Sequence, residues 1–369
     1  MQNNIIQGSD EWKVAKQSKI GASEVYSLVF HYCQDELIKL GLNVNKVTER
    51  PFRTVQELFM KIKFGAELSD IDPVHSEFGN GMEPYIAHRL GQQLPQIKLE
   101  RSKEFIVNES FHPLAACSPD GYIETVNDFI LADFDKKKEI NSFWGKGALE
   151  LKTANYFANF GAEEGAKLQY IFQHQYQMMV MGLSWGILAA LMPKQKEYDE
   201  PFFKGKIVER AKDVFSTRNS FMEENLDPYY DLYYYVYPGL PVFQAMILKA
   251  LDAFQSDLDK YDIDQSVFPR NSEDLAGLQR EKKLWAQLWP DHFGVKQLNA
   301  EDELNKLLNE RYETQVQTMF AEQAFDLIDN QVRQKLKSAG FDKFCEIIGS
   351  EQRAAWTKNG QLRFYKLKQ

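Results

Sequence analysis

One short run of the chain, Ala148-Leu149-Glu150-Leu151-Lys152-Thr153, limits the fold more than any other. As a strand it turns Leu149 and Leu151 to one face and Glu150 and Lys152 to the other. An acid and a lysine side by side on one strand face are ordinarily a solvated surface pair. Here the run is short and flanked by Ala148 and Leu149, so it reads as a central, buried strand rather than an amphipathic edge.

The surrounding pattern is that of an α/β domain. Phe78, Met82, Tyr85, Ile86 and Leu90 recur at helical spacing, and Phe172, Tyr176, Met179 and Leu183 form the stripe of a second helix over 166–183. Segment 113–123 reads as strand, turn, strand, while Ser184 to Met192 and Tyr229 to Tyr237 read as sheet strands. At 369 residues the chain exceeds the usual span of about 100–200 residues per domain. We expect a domain over 1–262, with insertions near 124–147 and 193–228, and a mainly helical extension over 263–369. Within that extension a long helical stretch over 300–339 ends near Gly340, and Asn359-Gly360 between β-favouring runs marks a terminal hairpin.

Composition removes several classes. With 44% hydrophobic and 26% charged residues the chain is globular. No stretch approaches the roughly 20 apolar residues of a membrane span, and the N-terminus lacks a basic region followed by an apolar run, so a cytoplasmic location is expected. Three scattered cysteines support neither a disulfide framework nor a four-thiolate metal site. The histidines form no i,i+4 zinc pair, and neither a phosphate loop nor a nucleophile elbow is present. The net charge of −9 argues against nucleic acid at first sight, but an enclosing channel needs only a local basic lining, and acidic metal ligands add to the negative count.

The chemistry-bearing residues centre on Asp120, Glu150 and Lys152. Ser118-Pro119-Asp120-Gly121 suits a type I turn between strands, and equally a rigid strand end that projects a carboxylate into a cleft. Mg²⁺ takes hard oxygen ligands and keeps several waters, so two carboxylates and a strand carbonyl, here that of Leu151, would leave room for water and a phosphate oxygen. Lys152 beside them could orient that water and balance developing charge.

Further residues surround this set. Glu83 shares a helix face with Ile86, Ala87 and Leu90, so it wants a metal, or a Lys or Arg at the helix edge. Gln173 and Gln177, with Tyr170 one turn earlier, could hold a water or phosphate, although satisfied amides at a core margin look the same. Lys16, Lys19 and Ser23 lie where the chain enters a helix; such a start is either a phosphate site or an ordinary N-cap.

Five motifs in order carry a resemblance: Asp10-Glu11-Trp12 with Ile20-Gly21-Ala22-Ser23-Glu24-Val25, Gly79-Asn80-Gly81-Met82-Glu83, Ala116 to Gly121, Leu149-Glu150-Leu151-Lys152, and Tyr170 to Tyr176. Together they resemble the phage lambda exonuclease family, the YqaJ-like viral recombinase group of PD-(D/E)XK nucleases, over about residues 9–262. The resemblance implies a mixed central sheet flanked by helices and a 5′→3′ exonuclease of linear double-stranded DNA. Such an enzyme leaves 3′ overhangs for a single-strand annealing protein. It further implies Mg²⁺, with Mn²⁺ substituting, on Asp120, Glu150 and the Leu151 carbonyl. Lys152, Glu83 and Gln173 would assist the water, and the DNA end would be gripped by Lys16, Ser23 and Tyr170. A homo-oligomer, typically a trimeric ring, and a phage or prophage origin in a bacterial host cell belong to the same expectation.

The chain departs from the family at Lys16, where arginine is common and its bidentate fork is lost. The interval between Asp120 and Glu150 is long and includes Asp133 to Lys138, and the tail beyond about residue 262 exceeds the compact phage enzyme. Two other readings keep the same residues: a structure- or site-specific endonuclease, and a DNA-end binding protein that loads an annealing partner.

Overall fold

The computed structural model describes residues 5–41, 50–68, 73–125, 129–132, 140–143, 145–154, 166–196, 229–264, 269 and 275–288, and further on 310, 313–314, 317–318, 346–348, 352–356 and 362–366. The described elements begin with β1 (Ile5–Ile6), α1 (Asp10–Gln17), α2 (Val25–Tyr32), α3 (Gln34–Lys39), α4 (Val55–Phe64) and α5 (Pro73–Gln93). They continue with β2 (Ile97–Arg101), β3 (Glu104–Val107), β4 (Ala116–Cys117), β5 (Gly121–Thr125), β6 (Phe129–Ala132), β7 (Ile140–Phe143) and β8 (Lys146–Thr153). After these come α6 (Leu168–Met181), β9 (Trp185–Pro193), β10 (Tyr230–Pro238), α7 (Pro241–Ile263) and α8 (Leu275–Leu288), then β11 (Glu346–Ile348), β12 (Gln352–Trp356) and β13 (Leu362–Lys366). The chain divides into two compact units, Met1–His292 and Phe293–Gln369.

In the first unit a mixed five-stranded sheet runs in the order β10-β9-β8-β5-β2. β8 is central, as its apolar flanks require: it pairs antiparallel with β5 and parallel with β9. A parallel neighbour needs a crossover, and α6 supplies it. Leu149 and Leu151 enter a core with Ile187, Ala189 and Leu191 of β9 and Met82, Tyr85, Ile86 and Leu90 of α5. On the other face Leu188 and Ala190 pack with Tyr235 and with Tyr170 and Ile171 of α6. A third cluster joins α2, α4, α6 and α7 through Leu28, Phe59, Phe172, Tyr176, Leu251 and Phe254. The sheet is thus covered by helices on both faces, the mixed α/β architecture expected from the strand pattern.

Local chemistry sets the elements that frame the site. Ser9 caps α1 by accepting from the Trp12 amide at 3.1 Å. Thr54 and Glu57 form a reciprocal capping box at the start of α4, and Gly65 ends that helix in the left-handed conformation at φ 67°. Of the two readings open for Ser23, the N-cap of α2 does not form. The N-cap position is Glu24, without a side-chain cap bond, and Ser23 is exposed in the preceding turn. Glu24 instead folds back to accept from the Gly21 amide at 2.8 Å.

Nor does Ser118 to Gly121 form a hydrogen-bonded turn: Asp120 is a bend and Gly121 already opens β5. Gly121 is required by a close approach, because a Cβ there would lie 2.4 Å from the Glu100 carbonyl oxygen of β2.

Within the expected 124–147 insertion, β6 and β7 pair antiparallel. Residues 133–138 and 197–228, which hold the inserted charges of the sequence reading, lie outside the described residues. So does most of the expected helix over 300–339; helix is described at Glu310, Glu313, Thr314, Gln317 and Thr318. In the second unit β12 and β13 form the expected hairpin, with Trp356 opposite Leu362, and β11 adds a third antiparallel strand on β12. Two strands alone are marginal in water, so the extra strand has a physical reason. Among the described residues no helix is long and apolar enough to cross a membrane.

Candidate active site

Four elements bring the chemistry-bearing side chains together in the first unit. β8 presents Glu150 and Lys152 on the face that α6 covers, while the Asp120 side chain turns back onto the same strand. Its Oδ2 accepts from the Leu151 amide at 2.7 Å, which satisfies a main-chain donor beyond the end of β5. Glu150 is 1% exposed and accepts through both oxygens: Oε1 from Gln173, with Lys152 ion-paired to the same oxygen, and Oε2 from Gln177 at 2.5 Å. The two amides of α6, one turn apart, therefore hold one carboxylate. Glu83 of α5 accepts from the Arg101 guanidinium at the end of β2.

Charge is unevenly balanced here. Burial pushes the Asp120 carboxyl well above its ordinary range, Glu150 and Glu83 push it further, and Lys152 and the Leu151 amide only partly oppose them. Burial also raises Glu83, against the pull of Arg101 and Lys152. Burial alone would lower Lys152, but Glu150 and Asp120 more than reverse that and hold the ammonium above its ordinary value. Three carboxylates thus share two cations, and Lys152 stays charged at neutral pH.

The residues fit a divalent cation. Among the described residues no group of three His, Cys, Asp or Glu side chains is placed to hold a metal. What the site offers is two neighbouring carboxylates, Asp120 and Glu150, and carboxylates are the hard oxygens that Mg²⁺ accepts alongside its waters. The second mark of fit is charge: two acids share one lysine, and a bound cation would offset the repulsion that raises Asp120.

A cleft lined by Ser23, Tyr26, Pro51, Phe52, Tyr170 and Gln173 adjoins this cluster. Ser23 and Tyr170 are thereby brought to the same place as Gln173. The Lys152 ammonium lies 5.8 Å from the centre of the Tyr170 ring. Lys16 is not on this lining; it is exposed on α1, its Nζ 4.6 Å from the centre of the Trp12 ring.

One participant carried too little pattern to be singled out: Arg101 gave no local signal because its partner is eighteen residues away. Gln177, read as an amide that could hold a water or a phosphate, donates to Glu150 instead. His174 is a further finding. It is fully buried beside Gly186 and Gln177, and a Cβ on Gly186 would lie 2.6 Å from its ring. Burial lowers its pKa, against the nearby Glu150, so the ring is neutral.

A mixed sheet covered by helices, with two acids and a lysine converging at its central strand, defines the class of this domain. The model of the YqaJ-like viral recombinase domain family matches residues 11–184, which hold every one of these site residues. Among solved structures the chain is similar to an alkaline exonuclease (LHK-Exo) from Laribacter hongkongensis, at 15% identity and a TM-score of 0.41, covering 70% of this chain and 98% of that one. It is also similar to a phage-related exonuclease from Haemophilus somnus 129PT, at 14% identity and a TM-score of 0.39, covering 67% and 96%. No curated protein matches the sequence.

Proposed function

We propose that this chain is a Mg²⁺-dependent deoxyribonuclease that digests linear double-stranded DNA from its ends, 5′→3′, leaving 3′ single strands for an annealing protein. The placement of the half-buried Asp120 beside the buried Glu150 at the central strand, with Lys152 on the same face, is the observation that carries this reading. The match to a viral recombinase domain supports DNA as the substrate.

Asp120, Glu150 and the Leu151 carbonyl would hold Mg²⁺, with Mn²⁺ able to substitute. When bound, the ion supplies Lewis acidity and makes a water easier to deprotonate. Lys152, kept protonated by its two acidic neighbours, orients the attacking water and balances the negative charge that grows on the phosphate. Gln173 and Gln177 fix the two oxygens of Glu150, so that little reorganisation remains at the moment of reaction. Glu83 lies close enough to feel both Lys152 and Glu150 and shapes their field.

Ser23 and Tyr170 at the cleft would receive the DNA end, and Lys16, exposed on α1 outside that lining, would contact the duplex beyond it. A ring-shaped homotrimer acting in the cytoplasm of a bacterial host would gather basic side chains on an inner wall and so reconcile a net charge of −9 with DNA.

The test uses linear duplex labelled at either terminus, with 5′-phosphate or 5′-hydroxyl ends, beside covalently closed circles. Mg²⁺-dependent loss of the 5′ label first, with circles intact, is the expected outcome. Cutting of circles as fast as linear duplex would make the protein an endonuclease instead.

A further inference from the structure

We infer that Arg101 is a binding residue for a backbone phosphate of the DNA, held beside the acidic cleft by Glu83; the inference rests on the nuclease reading above. Arg101 is the last residue of β2, directly opposite Gly121 in the register, and so one residue from Asp120 across the sheet. The next amide, that of Ser102, donates to the Asp120 carbonyl oxygen at 3.0 Å. The exit of β2 is therefore tied to the residue that carries the buried acid, and the guanidinium is placed by the same backbone that places the Asp120 carboxylate.

Its surroundings separate it from the buried charges. The Arg101 side chain is 36% exposed, against 23% for Glu83 and 1% for Glu150, so burial falls away along this line from the catalytic strand to the rim. Among the described residues its one hydrogen bond goes to Glu83 through Nη2. A guanidinium has five donors in a fixed fork, and with the side chain partly exposed the donors beyond Nη2 suit planar pairing with phosphate oxygens. A half-exposed ion pair contributes little to stability, so the fold alone gives no strong reason for an arginine here. In a chain of net charge −9, a cation at the edge of three carboxylates is where a polyanion would need one. Glu83 then acts chiefly through Arg101, as a positioning residue, rather than as the base for water.

The experiment compares wild type with Arg101→Gln and Arg101→Ala across a salt series. Binding of labelled linear duplex is followed by fluorescence anisotropy in EDTA, and KM and kcat for digestion are measured in Mg²⁺. Glutamine can still donate to Glu83 but carries no charge, so a structural role would be rescued by it and a phosphate role would not. The expected result is a slope of log K against log salt shallower by about one in both variants. Binding should weaken roughly tenfold at ~0.1 M salt, and KM should move more than kcat. Wild-type slope and KM in both variants, whatever their melting temperatures, would overturn the inference while leaving the nuclease reading intact. Wild type that neither binds nor digests DNA would end both.

Discussion

The first unit buries two acid–lysine pairs, Glu24–Lys61 and Glu150–Lys152, and they behave in opposite ways. Lys61 donates to both oxygens of Glu24, at 2.9 and 2.7 Å, and to the Lys19 carbonyl at 2.8 Å, so all three ammonium protons are used. One acid faces one base, Glu24 also ties down the Gly21 amide, and burial still lowers the Lys61 pKa despite Glu24. Lys152 has a second acid, Asp120, within its field, and its pKa is raised instead. The same residue types thus make a balanced structural clamp in one place and an acid-rich cluster in the other. Local charge balance, rather than burial, separates the two pairs.

Substitutions should break this comparison in opposite directions. Glu24→Gln leaves Lys61 buried without its counter-charge, which should cost about 3–5 kcal/mol and lower the melting temperature by roughly 2–4 °C for each of these. Nuclease activity per folded molecule should survive. An unchanged melting curve in calorimetry would show that the clamp is not structural.

Lys152→Met should lower the rate of DNA digestion by roughly 10²–10³, the scale of losing one preorganised charge-stabilising group. Activity within a few-fold of wild type would remove Lys152 from the mechanism.

The pH dependence of the metal-free protein is a third lever. Asp120 has a raised folded-state pKa, so its contribution to stability is fully present below the unfolded value of about 3.9 and is lost as pH rises through the folded value. Melting temperature should therefore carry a component that falls as pH rises from about 4, and Mg²⁺ at neutral pH should restore it by binding the folded state. Asp120→Asn should flatten that component; an equal slope in the variant would contradict the assignment.

The smallest effect is expected at the amides. Gln177→Leu removes one bond to a charged oxygen, about 1.5 kcal/mol or roughly tenfold in rate, with Gln173 still holding Glu150. A larger loss than in Lys152→Met would mean that Gln177 has a direct part in the reaction.

How far the sequence showed all this depended on the range of each interaction. β8 was legible because alternation and apolar flanks are properties of the strand itself, and α5 and α6 because their stripes are helical. The convergence of Asp120 with Glu150 needed the ordered motifs, since a bend and a strand thirty residues apart share no local period. Whether Ser23 caps α2 was not legible, because the competing contact, Glu24 to the Gly21 amide, depends on Lys61 arriving from α4. Gly121 was read through turn chemistry, whereas its reason is the Glu100 carbonyl of the neighbouring strand. Arg101 and the Lys61 clamp are tertiary pairings, with no trace in spacing.

The measurement that tests the account most directly is Asp120→Asn, assayed for Mg²⁺-dependent digestion of linear duplex and for melting temperature without metal. Asparagine keeps an oxygen for the Leu151 amide while removing one of two neighbouring acids. The account predicts near-complete loss of digestion together with a melting temperature equal to or above that of wild type. Digestion at the wild-type rate, or in EDTA, would contradict it.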